Sequence, residues 1–265
     1  MQDLINQIKK TTVFLGVQTS GGGFQFRATG FLLNIQGIFH LATAKHVVVD
    51  PTTGEWLDAD TSVFFNLKGG GVGSRHLSSL KKTFGVEWLF DENKKVDIAI
   101  IPFGLEVEKD DVMTIPDNLF FATDNLFELD DVFFLSHQPG IETTNRISPV
   151  IRQGIISLIN EDKTFYIDGA AFPGNSGSPV FLKPLPIRFG KEGISIGADQ
   201  LGGKFIGIIG EYVPYREVAI SLQTKRPRVV FEENTGLSKV WSVDFINGIL
   251  RSNHFQRQLD RLRGK

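Results

Sequence analysis

The chain is 265 residues long, with a formal net charge of -2, no cysteine and a hydrophobic fraction of 41%. That balance gives no electrostatic case for nucleic acid or an anionic membrane as partner. The missing cysteines exclude a disulfide framework, thiolate metal sites and a cysteine nucleophile. His40, His46, His76, His137 and His254 are scattered without metal-ligand spacing, so neither a metal nor another cofactor is expected. No apolar run approaches membrane-spanning length, and the first ten residues lack the apolar core of a signal peptide, which predicts a cytoplasmic protein. Phenylalanine is abundant at 23 residues, beside 28 glycines. Half-buried strands and many turns follow from that composition, so the expected class is all-β with a short N-terminal and a longer C-terminal helix.

Taken in order, Asp3 to Lys10 places Leu4, Ile5 and Ile8 on one helical face, with Asp3 as candidate N-cap. Strands are expected at 11–19, 24–34 and 38–43, joined by the glycine turn 21–23 and by Gln36-Gly37, a meander of hairpins. His46 follows the third strand directly. Asp50 to Asp60 reads as a loop, Val63 to Asn66 as a strand, Gly69 to Gly73 as a mobile loop and Thr83 to Phe90 as a further strand. Asp97 then stands at the mouth of the apolar run Ile98 to Ile101, where an aspartate capping a turn is the ordinary explanation. The acid-rich connector 102–123 separates two halves. Beyond it, strands are expected at 129–136, 148–159, 164–168, 180–182 and 204–213. Lys183 to Gly203 reads as a surface loop, and Tyr215 to Glu233 as a solvated excursion. An amphipathic helix closes the chain over 243–260, its exposed face basic.

Phe172 to Phe181 holds the most informative stretch, Phe-Pro-Gly-Asn-Ser-Gly-Ser-Pro-Val-Phe. Glycines on both sides of Asn175-Ser176 make a tight turn that can hold the Ser176 hydroxyl away from the scaffold and aim backbone N–H groups at one point. The same letters also describe a plain hairpin turn. A serine nucleophile needs a base that titrates near pH 7, and a carboxylate that fixes the base's tautomer. His46 and Asp97 supply both in the order His, Asp, Ser, each at the end of a strand-like run.

These segments resemble the motifs of the trypsin/chymotrypsin class. Thr43-Ala44-Lys45-His46 is similar to its Thr-Ala-Ala-His, Asp97-Ile98-Ala99 to its Asp-Ile-Ala, and Gly174-Asn175-Ser176-Gly177-Ser178-Pro179 to its Gly-Asp/Asn-Ser-Gly-Gly-Pro. Thr29-Gly30-Phe31, Ala122 to Gly140, Gln153 to Ser157, Gly207-Ile208-Ile209 and Gly236 to Phe245 resemble the bacterial HtrA-type branch in particular. The resemblance spans about residues 11–250 and implies one trypsin-like domain of two six-stranded antiparallel barrels. The first barrel (11–105) would carry His46 and Asp97, the second (120–242) Ser176, and no PDZ-type domain is expected. It implies a serine endopeptidase with catalytic residues His46, Asp97 and Ser176, a polypeptide substrate, and an oxyanion hole from the N–H groups of Gly174 and Ser176. Asn175 departs from the aspartate of zymogens, so no activation cleavage is expected. The primary pocket is expected from Ala170, Ala171, Ile208, Ile209 and Gly210, neutral and apolar, favouring small or medium aliphatic side chains. Glu211 is the nearest acid that opposes this. His40 and His137 both take the ordinary reading of packing residues, the minor alternative for His137 being that it lines the cleft near the oxyanion loop. Two rivals remain at this point: a trypsin-like scaffold used as a binding module, and an esterase on the same triad. Oligomeric state is not legible.

Overall fold

The computed structural model describes residues 2–19, 23–141, 145–185, 187–190, 193–196 and 203–264. Positions 21 and 22 of the expected glycine turn, and much of the expected 183–203 loop, lie outside them. Helix α1 (Gln2–Lys9) leads into β1 (Thr12–Gln18), β2 (Phe24–Ile35) and β3 (Ile38–Thr43), the expected meander. Asp3 sits inside the first turn of α1 and does not cap it. Then come β4 (Ser62–Asn66), β5 (Val72–His76), α2 (Leu77–Phe84), β6 (Ala99–Pro102) and the two-residue β7 (Ile115–Pro116). The N-terminal sheet runs β5-β4-β1-β2-β3-β6, with β7 parallel to β2.

This half departs from expectation. The glycine run at 69–73 passes into β5, and no strand spans 83–90. Leu77 and Leu80 share the buried face of α2, which ends at Gly85 in the left-handed conformation, φ 59. After it, residues 85–90 make one bridge, Leu89 to Ile100. Among the described residues the sheet is therefore open, where the sequence leads one to expect a closed barrel. Helix α2 takes the place of the closing strand, and Leu77, Leu80, Val86 and Trp88 fill the core beneath it.

The second half closes fully. β8 (Asp131–Ser136), β9 (Val150–Ile159), β10 (Thr164–Asp168), β11 (Pro179–Leu182), β14 (Lys204–Ile220) and β15 (Pro227–Ser242) form a barrel in the order β10-β15-β14-β11-β8-β9. Between them β12 (Ile187–Gly190) and β13 (Gly193–Ile196) make a separate hairpin. The segment 215–233 is no loose excursion: β14 and β15 stay paired out to Ile220 and Pro227. The closing helix is two helices, α3 (Val243–Arg251) and α4 (Asn253–Leu262). They are divided at Ser252, whose hydroxyl accepts from Phe255 N and so starts a new helix.

Alternation along the barrel strands, shifted in β14 by a bulge at Ile206, sorts the core into layers. Val132, Phe134, Val180, Ile206, Ile209 and Val240 point into the barrel. Their neighbours Phe133, Phe181, Phe205, Ile208 and Trp241 point the other way. There they meet Phe31, Leu33, Ile98 and Ile100 of the first sheet and Val243, Ile246 and Phe255 of the helices. Each fully buried Phe in this seam contributes about 1.5–3 kcal/mol. The seam gathers Phe31, Phe133, Phe181, Phe205 and Phe255, and it holds the two halves in a fixed relation. His40 is a packing residue of that seam, as expected. It is 1% exposed with its ring 5.6 Å from that of Phe255. Burial pushes its pKa down to about 4, against a weaker opposing effect of the hydrogen bond that Nδ1 donates to Ile38 O.

Candidate active site

Strand register brings the base and its carboxylate together. Thr43 of β3 pairs with Ala99 of β6, so His46, three residues beyond Thr43, and Asp97, two residues before Ala99, arrive at the same end of the ladder. His46 sits in a short 3-10 turn, Lys45–Val47. The Asp97 carboxylate holds it twice: Oδ2 lies 2.6 Å from Nδ1, and Oδ1 accepts from the His46 main-chain N–H at 2.8 Å. An ionised carboxylate only accepts, so Nδ1 carries the proton and Nε2 is left with its lone pair. Burial works to lower the His46 pKa. The Asp97 hydrogen bond and charge, with a further push from Glu211, outweigh it, and the imidazole is held above its ordinary value.

Ser176 follows a tight turn over Phe172 to Asn175. Asn175 N donates to Phe172 O at 2.9 Å, Pro173 takes the second position, and Gly174 the third with φ +94. Those are the marks of a type II turn. Among the described residues, the N–H groups of Gly174 and Ser176 have no hydrogen-bond acceptor, while those of Asn175, Gly177 and Ser178 all do. The serine's main chain is clamped on both sides: Ser176 O accepts from Thr29 N in the first sheet, and Gly177 N donates to Ile209 O in the barrel.

A ring of buried polar groups fixes this loop. Asn175 is fully buried. Its Oδ1 accepts from Phe172 N, and its Nδ2 donates to His137 O at 2.6 Å. His137 N donates to Thr29 Oγ1, which in turn donates to Gly174 O, both at 2.8 Å. The side chain of Thr29, completely buried, thus ties the first sheet to the serine loop. Nothing in the sequence singled it out for that role, because its partners lie 108 and 145 residues away. The His137 ring sits between Phe14 and Phe26, with centroids 5.0 and 5.2 Å away, and burial lowers its pKa. It packs rather than lining the cleft. It braces the loop from behind.

A cavity of about 720 Å³ opens between the two halves, lined by His46, Asp97 and Ser176 together. No hydrogen bond joins Ser176 Oγ to His46 among the described residues; such contacts tighten when substrate binds. Of the apolar positions expected in the pocket, Ala171, Ile209 and Gly210 line the cavity. Ile208 does not: one residue along β14, it faces the seam. Ala170 is not among the lining residues either. Phe172, Tyr212, Lys239 and Trp241 are, and the sequence did not point to them. The Trp241 indole lies beside the bare α-carbon of Gly210, where a Cβ would stand 2.7 Å from Nε1, and the Lys239 ammonium rests over its ring at 4.3 Å. Beneath Ala171 the floor carries no charge. Ala171 N donates to Ser238 Oγ, which donates to Gly169 O, and Asn234 Nδ2 donates to Ala171 O.

The family model of the trypsin-like peptidase domain matches residues 28–183, more than half of the chain. No curated protein matches. Among solved structures, the serine endoprotease from Yersinia pestis is similar with a TM-score of 0.53 at 13% identity, covering 96% of this chain and 66% of that one. The chain therefore spans just under two thirds of that structure's length, and at this identity the likeness is one of fold.

Proposed function

The chain belongs to the trypsin-like peptidase family, and from that premise we propose that it is a serine endopeptidase working through Ser176, His46 and Asp97. The carrying observation is the doubly held His46, whose Asp97-bound Nδ1 leaves Nε2 as the base, in one cavity with Ser176. Ser176 Oγ attacks the substrate carbonyl as Nε2 takes its proton. The charge that develops on the carbonyl oxygen is met by the N–H groups of Gly174 and Ser176, neither of which has an acceptor among the described residues. Collapse expels the amine with the proton from His46, and water repeats the sequence to release the acyl group.

Because Asp97 holds the His46 pKa above the ordinary 6.5, the acid limb of kcat/KM falls above that value, activity rising as the imidazole loses its proton. Stability runs the other way. A group whose folded pKa is raised contributes fully below its unfolded pKa, and that contribution is lost as pH climbs through the folded one. The Asp97→Asn variant moves the limb down and lowers kcat by about 10⁴. A pH–rate profile checks this; a limb below 6.5 in the unaltered chain rules out the pairing as the source of basicity.

Two finer assignments complete the proposal. The neutral Asn175 carboxamide is satisfied by two main-chain groups, Phe172 N in the loop and His137 O beside it, so no new N-terminal ammonium is needed to order the site. The floor below Ala171, walled by Ile209 and half-buried Tyr212, is uncharged and favours small or medium aliphatic side chains, while Glu211, which lines the same cavity, is the acid that opposes this. One experiment reads both. A peptide library is profiled with a chain whose N-terminus is blocked by an uncut extension. Cleavage after Ala, Val or Ile is expected; inactivity until the extension is removed, or cleavage after Arg or Lys, refutes the respective assignment. Labelling of Ser176 by a fluorophosphonate separates an enzyme from a binding scaffold, and peptides set against simple esters separate peptidase from esterase.

A further inference from the structure

The edge of β14 that faces the serine loop changes partner at the active site. Up to Ile208 it pairs with β11, and at Ile209 it exchanges hydrogen bonds with Gly177 and Ser178. Past Ile209, among the described residues, nothing pairs with it on that side. Yet the strand continues to Ile220, held only by β15. The edge therefore starts among cavity residues (Ile209, Gly210, Glu211, Tyr212) and runs out along a two-stranded ribbon.

The outer part of that ribbon is apolar on both faces. Directly opposed residues share a face, so Val218 and Val230 lie on one, and Phe231 and Val229 on the other. These side chains are between 49% and 60% exposed, an unusual investment for a segment with no core beneath it. The ribbon is held by pairs that do not involve them: Arg216 with Glu232, and Tyr212 OH donating to the same carboxylate.

We propose that the ribbon is a docking arm for the substrate itself, taking the extended, apolar segment that lies N-terminal to the cleaved bond. This rests on the peptidase reading above. A chain added antiparallel to β14 on the open edge sends its C-terminal end to Ser176 and its N-terminal end toward the ribbon's tip. From Gly210 to Val218 is eight residues, at most about 27 Å at the usual strand rise, with irregularities at Gly210 and Val213 shortening the run. Apolar side chains some eight to twelve positions before the scissile bond then fall beside Val218, Val230 and Phe231, while main-chain pairing holds the intervening segment. Pro214 gives no donor to either edge. That interruption blunts indefinite strand-to-strand stacking between copies and leaves a bound segment of defined register as the better occupant.

The test uses three synthetic peptides with one cleavable hexapeptide: the hexapeptide alone, a form extended on its N-terminal side with Val and Leu at eight to twelve positions before the cleaved bond, and the same extension with Ser there. kcat/KM is measured on the active chain and binding on the Ser176→Ala variant by fluorescence anisotropy. The apolar extension is expected to exceed the Ser extension by at least about tenfold in both. The combined Val218→Ser, Val230→Ser, Phe231→Ser variant is expected to erase that ratio while keeping hexapeptide turnover within about twofold. Equal values for the two extensions, or an equal loss on all three peptides, overturns the proposal. So does a ratio that survives while the variant merely converts an oligomer to a monomer, which makes the ribbon an interface between copies. If none of the peptides is cut but the binding ratio holds, the peptidase reading fails and the docking arm stands.

Discussion

The Ser176→Ala variant should lose peptidase activity by roughly 10⁴- to 10⁶-fold in kcat, and adding His46→Ala should lower it no further. The two side chains act as one unit: without the Ser176 hydroxyl there is no proton for Nε2 to take, and without Nε2 the hydroxyl is a poor nucleophile at neutral pH. What survives should be turnover from binding and the N–H groups of Gly174 and Ser176, neither of which the substitution removes. Ser176 Oγ holds no structural hydrogen bond among the described residues, so the variant should melt with the parent chain. Single-turnover kinetics of both variants on one peptide, alongside thermal unfolding, check this. If the losses multiply, the two residues act independently and the triad assignment is wrong. If Ser176→Ala also lowers the melting temperature by several degrees, the serine is a structural residue.

Why were these residues legible while their supports were not? His46, Asp97 and Ser176 each lie in a short motif whose neighbours do local work. Ala44 is buried and sets the start of the His46 turn, Ala99 pairs with Thr43, and Gly174 and Gly177 take positive φ around the serine. Such requirements are written within a few residues of the functional group. Thr29 acts through space, and although Thr29-Gly30-Phe31 resembles a family motif, nothing local shows which distant groups its hydroxyl reaches. The same distinction runs through the fold. The alternation of β8, β9 and β10 is local and readable. The open first sheet is not, because Thr83 to Phe90 has strand composition, yet Leu77 and Leu80 need a helix to reach the core. Spacing of those leucines and Gly85 as a helix stop were the available signals. The ribbon misled for a third reason. Its basic run, Lys225-Arg226-Pro227-Arg228, reads as solvation, and only cross-strand register reveals that Arg216 faces Glu232. Pocket residues followed the same rule, since adjacent Ile208 and Ile209 differ only in which way the strand turns each of them.

The residue that makes the two halves one site is Gly177, and Gly177→Ala should destabilise the chain by about 3–5 kcal/mol. Two costs combine there. Its φ of +84 is disfavoured for any residue with a Cβ. That Cβ would also stand 2.1 Å from Thr29 O, 2.5 Å from Thr43 Oγ1 and 3.0 Å from Ala44 N. Two of the three obstacles are backbone atoms and cannot rotate away. Thr43 Oγ1 is itself held, donating to Thr29 O. Relief therefore requires the serine loop and the first sheet to move apart, which breaks the Thr29 N to Ser176 O bond and carries Ser176 away from His46. Gly140 separates the two costs: its φ is +86, but nothing lies within 4 Å of where its Cβ would be. Gly140→Ala should cost only the backbone strain, about 1–2 kcal/mol, with its effect on kcat/KM small. Chemical denaturation of both variants, with peptide turnover measured on the folded fraction, gives the comparison. Equal destabilisation by the two substitutions would mean that strain alone matters and that the contact at Gly177 does not hold the halves in register. A larger loss at Gly177, with turnover lost in the protein that still folds, is the expected result, because there the fit between the halves is also the distance between nucleophile and base.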